Sequence, residues 1–249
     1  MGEKASKVLI TSVPKCGTHL LKQVVLGAPF YKRGKWISLR ESIREQIDNC
    51  HDQTIMVGHL EYSEEIVRYL NEKGIRRLFI YRDPRDMLIS YVFYVKEIAP
   101  KHELRNYFLH VLGSDEERIM KLITGFHYQE ENLTYGDLTL HYQPFLPWIE
   151  DKGTLALRFE DLVSSNECKE QTISKIADYL WHGSTFDQYN KAVLKKRMLE
   201  NIRPSHSGTF RKGVSGDWKN YFTAQHKSVF KEVAGQLLID LGYEKDMDW

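Results

Sequence analysis

The chain has almost no net charge: 35 Lys and Arg stand against 34 Asp and Glu in 249 residues. A nucleic-acid binder usually carries a basic excess, so no nucleic-acid partner is expected and any anion site must be local. Cysteine is scarce. The three present, Cys16, Cys50 and Cys168, form no close-spaced pair, and an odd count argues against a disulfide framework. No apolar run approaches the ~20 residues of a membrane span, and no signal-peptide core opens the sequence. These absences predict a soluble, cytoplasmic protein with no membrane span, and no metal is expected. The phosphate-loop consensus GxxxxGK[ST] is missing as well. At 42% apolar and 28% charged, the chain reads as one domain over 1–249 with a large core.

What is present begins with Val8-Leu-Ile-Thr-Ser-Val-Pro-Lys-Cys-Gly-Thr-His-Leu20, an apolar run that ends in a turn and passes at once into a helical pattern. Such a turn aims backbone N–H groups and the positive end of a helix at one small volume, which suits an anion. Lys15 adds a full charge there. A second segment, Arg76-Arg-Leu-Phe-Ile-Tyr-Arg-Asp-Pro-Arg-Asp-Met-Leu-Ile-Ser-Tyr91, repeats the strand, turn and helix pattern. A third, Phe210-Arg-Lys-Gly-Val-Ser-Gly-Asp-Trp-Lys-Asn-Tyr-Phe-Thr223, is a basic loop punctuated by glycine.

Strands are predicted at Lys7–Ser12, Thr54–Val57, Arg77–Tyr81 and Thr154–Phe159, and helices at Thr18–Leu26, Ser63–Glu72, Pro84–Lys96 and Lys169–Leu180. Alternation of this kind implies an α/β fold with a central parallel sheet and helices on both faces. Ligands of such sheets lie at the carboxyl ends of the strands, where the Pro14–Thr18 and Arg82–Pro84 turns fall. The stretch from about 99 to 149 reads as an insertion of two or three helices, a candidate acceptor pocket or lid. Residues 27–49 are a candidate rim.

The three segments together resemble the sulfotransferase family, whose sulfuryl donor is 3′-phosphoadenosine 5′-phosphosulfate (PAPS). That family carries a PKSGTxW-type loop for the 5′-phosphosulfate, and an RNPxDxxxS-type turn with an RKGxxGDWKN-type loop for the 3′-phosphate. All three occur here in family order. The resemblance implies the family's phosphate-binding-loop, nucleotide-kinase-like fold in a single domain. It implies donor contacts from Pro14, Lys15, Cys16, Gly17, Thr18 and His19, with Arg82, Ser90, Arg211, Lys212 and Gly213 on the 3′-phosphate. Lys15 would neutralise the leaving phosphate. His59, in Gly58-His59-Leu60, matches the family's catalytic histidine, and an imidazole can take the proton of an attacking alcohol or phenol. The acceptor is then a small hydroxyl compound, and the product nucleotide is adenosine 3′,5′-bisphosphate. Arg85 is expected to face solvent, and Asp217-Trp218-Lys219 to lock the third loop.

The chain departs from the family at several places. Leu20 stands where a tryptophan often stacks on adenine, and Phe159 where a tyrosine reads the adenine edge. Val57 replaces the lysine two positions before the histidine. The KxxxTVxxxE dimer motif keeps Lys219 and Thr223 but has Ala224 and Ser228, so a monomer or weak dimer is expected. Three other readings compete. A cysteine phosphatase built on Cys16 would need arginine where Lys22 stands. A nucleotide kinase would need the absent consensus. A donor-binding family member without catalysis, acting as an interaction module, would not need both Lys15 and His59.

Overall fold

In the computed structural model, which describes residues 6–181 and 190–249, the chain divides into two compact units. The first takes in Met1–Tyr81 and Phe145–Gly213. Its frame is a five-stranded sheet of β1 (Val8–Ser12), β2 (Lys32–Trp36), β3 (Thr54–Gly58), β4 (Arg76–Tyr81) and, last in the chain, Thr154–Arg158. The spatial order is β2, β3, β1, β4 and then Thr154–Arg158, and every pairing is parallel. β1 and β3 are buried along their whole length, which is why they read as unbroken apolar runs rather than alternating ones.

Alternate strand residues divide the faces. Val8, Ile10, Ile55, Val57, Leu78 and Ile80 pack against Leu21, Val24 and Val25 of helix Thr18–Leu26, together with helices Asn166–Trp181 and Lys191–Glu200. On the opposite face Arg77 is buried and held by Asp151, Asn71 and Thr154, so its charge is paired. Phe159, expected to end the last strand, instead opens a short helix, Phe159–Val163. β2 falls inside the predicted rim. Its composition, Lys-Arg-Gly-Lys-Trp, gives no strand signal, but an edge strand needs a partner on one side only.

The second unit takes in Arg82–Pro144 and Val214–Trp249. Its longest helix is Ala224–Asp240, opened by a capping box between Thr223 and His226. The dimer-motif threonine is thus the residue that caps the start of this helix. The predicted insertion is mixed rather than helical: helix Asp115–Thr124 is followed by a two-stranded antiparallel ribbon, Phe126–Tyr128 with Leu133–Tyr135. The predicted helix Pro84–Lys96 is α-helical to Phe93 and continues as one π-helical turn, Tyr94–Ile98. Among the described residues no helix is long and apolar enough to cross a membrane.

Candidate active site

The loop after β1 is shaped by two residues in the left-handed region, Lys15 at φ 67° and Gly17 at φ 103°. Alternation of this kind turns successive N–H groups inward to form a concave anion cradle. Helix Thr18–Leu26 starts from Gly17 with no side-chain cap, so its first N–H groups and its positive dipole end face the same cradle. Cys16 is fully buried.

Gly17 is required for a second reason. A Cβ there would lie 2.6 Å from Phe159 Cδ2 and 3.2 Å from Ile80 Cδ1. Gly17→Ala therefore combines backbone strain with a clash against a core ring, and should cost about 1–3 kcal/mol of stability. Thermal unfolding checks this. An unchanged midpoint would mean that the Phe159 ring moves aside at no cost.

Three side chains converge beside the loop. Ser12, the last residue of β1, places its Oγ 2.6 Å from Thr18 Oγ1 and 3.2 Å from His59 Nδ1. His59 Nδ1 is also 2.9 Å from the Ser12 carbonyl. A carbonyl only accepts, so Nδ1 carries the hydrogen and Nε2 keeps its lone pair. The backbone around the histidine is fixed by Leu60, whose N–H donates to Thr11 Oγ1 at 2.9 Å and whose carbonyl accepts from Trp148 Nε1 at 2.8 Å. Burial, outweighing the bond to Ser12, pushes the His59 pKa down to about 4, with His19 and Lys15 adding to the fall. The imidazole is therefore neutral at physiological pH. Trp36 of β2 meets it edge-on at 5.0 Å, and the same indole lies 5.8 Å from the His19 ring.

The first unit thus brings together Lys15, Gly17, Thr18, His19 and His59. Ser12 and Trp36 join them, and neither was marked by the sequence: a serine ending a strand and a tryptophan in a charged segment match no motif. Arg211 is half-buried, Lys212 is exposed, and Gly213 has φ 66° with Phe210 against its Cα.

In the second unit Arg82 is buried, and its Nη2 donates to the carbonyl of Val214, the residue after Gly213 in the chain, at 2.7 Å. Asp86 accepts from the N–H groups of Gly216 and Trp218 at 2.6 and 2.9 Å. These bonds lock the Val214–Trp218 stretch, with Trp218 buried as expected. Ser90 is half-buried on helix Pro84–Phe93. Arg85 does not face solvent. It is 2% exposed, paired with both oxygens of Asp83 and with Glu244, and its guanidinium lies over Trp218 and Trp249 at 4.1 and 4.6 Å. Complete pairing and two aromatic faces allow that burial.

Comparison with known proteins gives the same direction. The family model described as "Sulfotransferase domain" matches residues 5–242. Sulfotransferase 2A1 of Homo sapiens is 23% identical over 264 residues, covering 95% of this chain and 86% of its own. Sulfotransferase 2A6 of Mus musculus is 24% identical, covering 92% and 83%. Among solved structures, mouse sulfotransferase SULT7A1 complexed with PAP superposes with a TM-score of 0.68 at 20% identity, over 98% of this chain and 89% of that one. Retinol dehydratase in complex with androsterone and inactive cofactor PAP gives 0.65 at 14% identity, over 96% and 82%.

Proposed function

The chain belongs to the sulfotransferase family, and on that premise we propose that it transfers the sulfuryl group of PAPS in line to the hydroxyl of a small acceptor, with His59 as general base. The observation that carries this reading is the Ser12–His59–Thr18 arrangement. It sets an imidazole of defined tautomer beside an anion cradle, so proton acceptor and phosphate site share one mouth of the sheet. The cradle fits a phosphate: it offers inward N–H groups, an uncapped helix start and Lys15.

The division of labour follows from charge. His59 Nε2 takes the hydroxyl proton as the acceptor oxygen bonds to sulfur. As the bond from sulfur to the 5′-phosphate oxygen breaks, negative charge grows on that oxygen, and Lys15 with the loop N–H groups neutralises it. Thr18 and His19 supply further hydrogen bonds at the same phosphate. Within the first unit, Arg211, Lys212 and Gly213 are the residues the family resemblance gives to the 3′-phosphate, which an arginine fork suits.

The 3′-phosphate provides the test. Cationic donors arranged for one dianion lose their partner when that group is missing. Adenosine 3′,5′-bisphosphate should bind at least about tenfold more tightly than adenosine 5′-phosphate, or ~1.4 kcal/mol. Arg211→Ala should narrow that gap. Calorimetry of both nucleotides on both proteins gives the four affinities, and equal wild-type affinities would sink the donor assignment.

A further inference from the structure

Lys22 stands one turn beyond Thr18 on the helix and is only 8% exposed, yet among the described residues it has no carboxylate and no hydrogen-bond partner. Its stem is covered while its Nζ keeps a path to solvent, so the ammonium is partly desolvated and free to meet an anion beside it. A second unpaired cation reaches the same face through a register shift in β2. Arg33 pairs with Ile55 and Trp36 with Val57, so three steps along β2 match two along β3. The extra residue is a bulge, which puts Arg33 and Trp36 both on the side of Ile55 and Val57, the side that helix Thr18–Leu26 covers. Gly34 sits inside the bulge because a Cβ there would lie 2.2 Å from Thr54 Cγ2. Arg33 is exposed and has no ion pair among the described residues.

Electrostatics agree with this placement. Burial, then the charges of Lys22, Lys15 and Arg33, hold the His19 imidazole below its ordinary pKa, and burial with Arg33 does the same to Lys22. Lys15 is accounted for by the anion loop. Lys22 and Arg33 are not: one lies a turn further along the helix and the other on the edge strand. Trp36, on the same edge strand as Arg33, is 44% exposed and lies 5.0 Å from the His59 ring and 5.8 Å from the His19 ring.

We infer that Lys22 and Arg33 form an anion clamp for the acceptor, so that the hydroxyl compound sulfated here carries a negatively charged group of its own. The inference rests on the reading of His59 as the base that faces the acceptor. With the hydroxyl at His59 and the body of the compound along Trp36, the charged end meets the two cations. Each gains the partner that the protein itself does not supply. An acceptor of the same shape without the charge would cover the two cations without pairing them, and would be disfavoured for that reason.

Two acceptors that differ only in charge test the clamp: 4-hydroxyphenylacetate and its methyl ester. With PAPS, the acid should be used with a kcat/KM at least about tenfold above the ester's. Arg33→Gln and Lys22→Met should each draw that ratio toward one. Calorimetry of both compounds on protein saturated with adenosine 3′,5′-bisphosphate reads the clamp even where no turnover occurs, and should show the same preference. Transfer to both compounds at equal efficiency would overturn the clamp while leaving sulfuryl transfer intact. Tighter binding of the acid with no transfer to either would keep the clamp and count against the proposed reaction. If the two variants weaken the bisphosphate and leave the acid-to-ester ratio unchanged, the cations belong to the nucleotide and the inference is wrong.

Discussion

His59→Ala should lose most turnover while still binding adenosine 3′,5′-bisphosphate, because only the proton-accepting side is damaged. Loss of a positioned general base costs about 10²–10⁴-fold. The side chain is held by the Ser12 carbonyl through Nδ1, so Nε2 is the working atom, and His59→Gln should not rescue the rate. The pH dependence has a defined sign. The folded pKa, about 4, lies below the ordinary 6.5, so the imidazole stays neutral as pH falls through 6. Rates should hold there and decline only at lower pH. Stability follows the same group: the unfolded chain takes up a proton near 6.5 that the folded one refuses. The contribution of neutral His59 is therefore complete above that value and is lost as pH falls toward 4. NMR titration of the ring protons measures this pKa directly. An alanine variant with an unchanged rate would pass the role to another group, with the exposed Glu61 next in line.

Much of this arrangement was legible in the sequence, and the legible parts share a cause. β1, β3 and β4 are short apolar runs because both faces of a parallel sheet are covered, and the loops that follow them carry glycine, proline and charge at fixed offsets. Local chemistry determines those features. The parts that escaped depend on contacts distant in the chain. Arg85 looks like a surface charge until Glu244, Trp218 and Trp249 are seen around it. β2 lacks apolar alternation, and its bulge leaves no pattern to read. Ser12 touches His59 across 47 residues of sequence. The roles of Phe159 and Trp148 went the same way. Phe159 packs in the core under Gly17, and Trp148 is fully buried with its N–H on the Leu60 carbonyl.

Lys15→Ala should cut turnover by two to three orders of magnitude while the fold persists. The magnitude comes from electrostatics: removing one strong stabiliser of developing charge costs roughly 3–4 kcal/mol in comparable sites, and each ~1.4 kcal/mol is tenfold in rate. The survival of the fold follows from the backbone. Lys15 already occupies the left-handed region at φ 67°, and alanine pays the same conformational cost there as lysine. A loop side chain also removes little buried apolar surface. The defect should fall on kcat more than on nucleotide affinity, because the charge Lys15 meets is largest as the bond from sulfur to the phosphate oxygen breaks. Lys15→Arg separates charge from shape. It keeps the cation but replaces a compact ammonium with a planar fork, so it should recover part of the rate and not all of it. Steady-state rates with PAPS, alongside bisphosphate affinity for each variant, distinguish the cases. Near-wild-type turnover in Lys15→Ala would remove this lysine from the mechanism and leave leaving-group stabilisation to the loop N–H groups and the helix start alone.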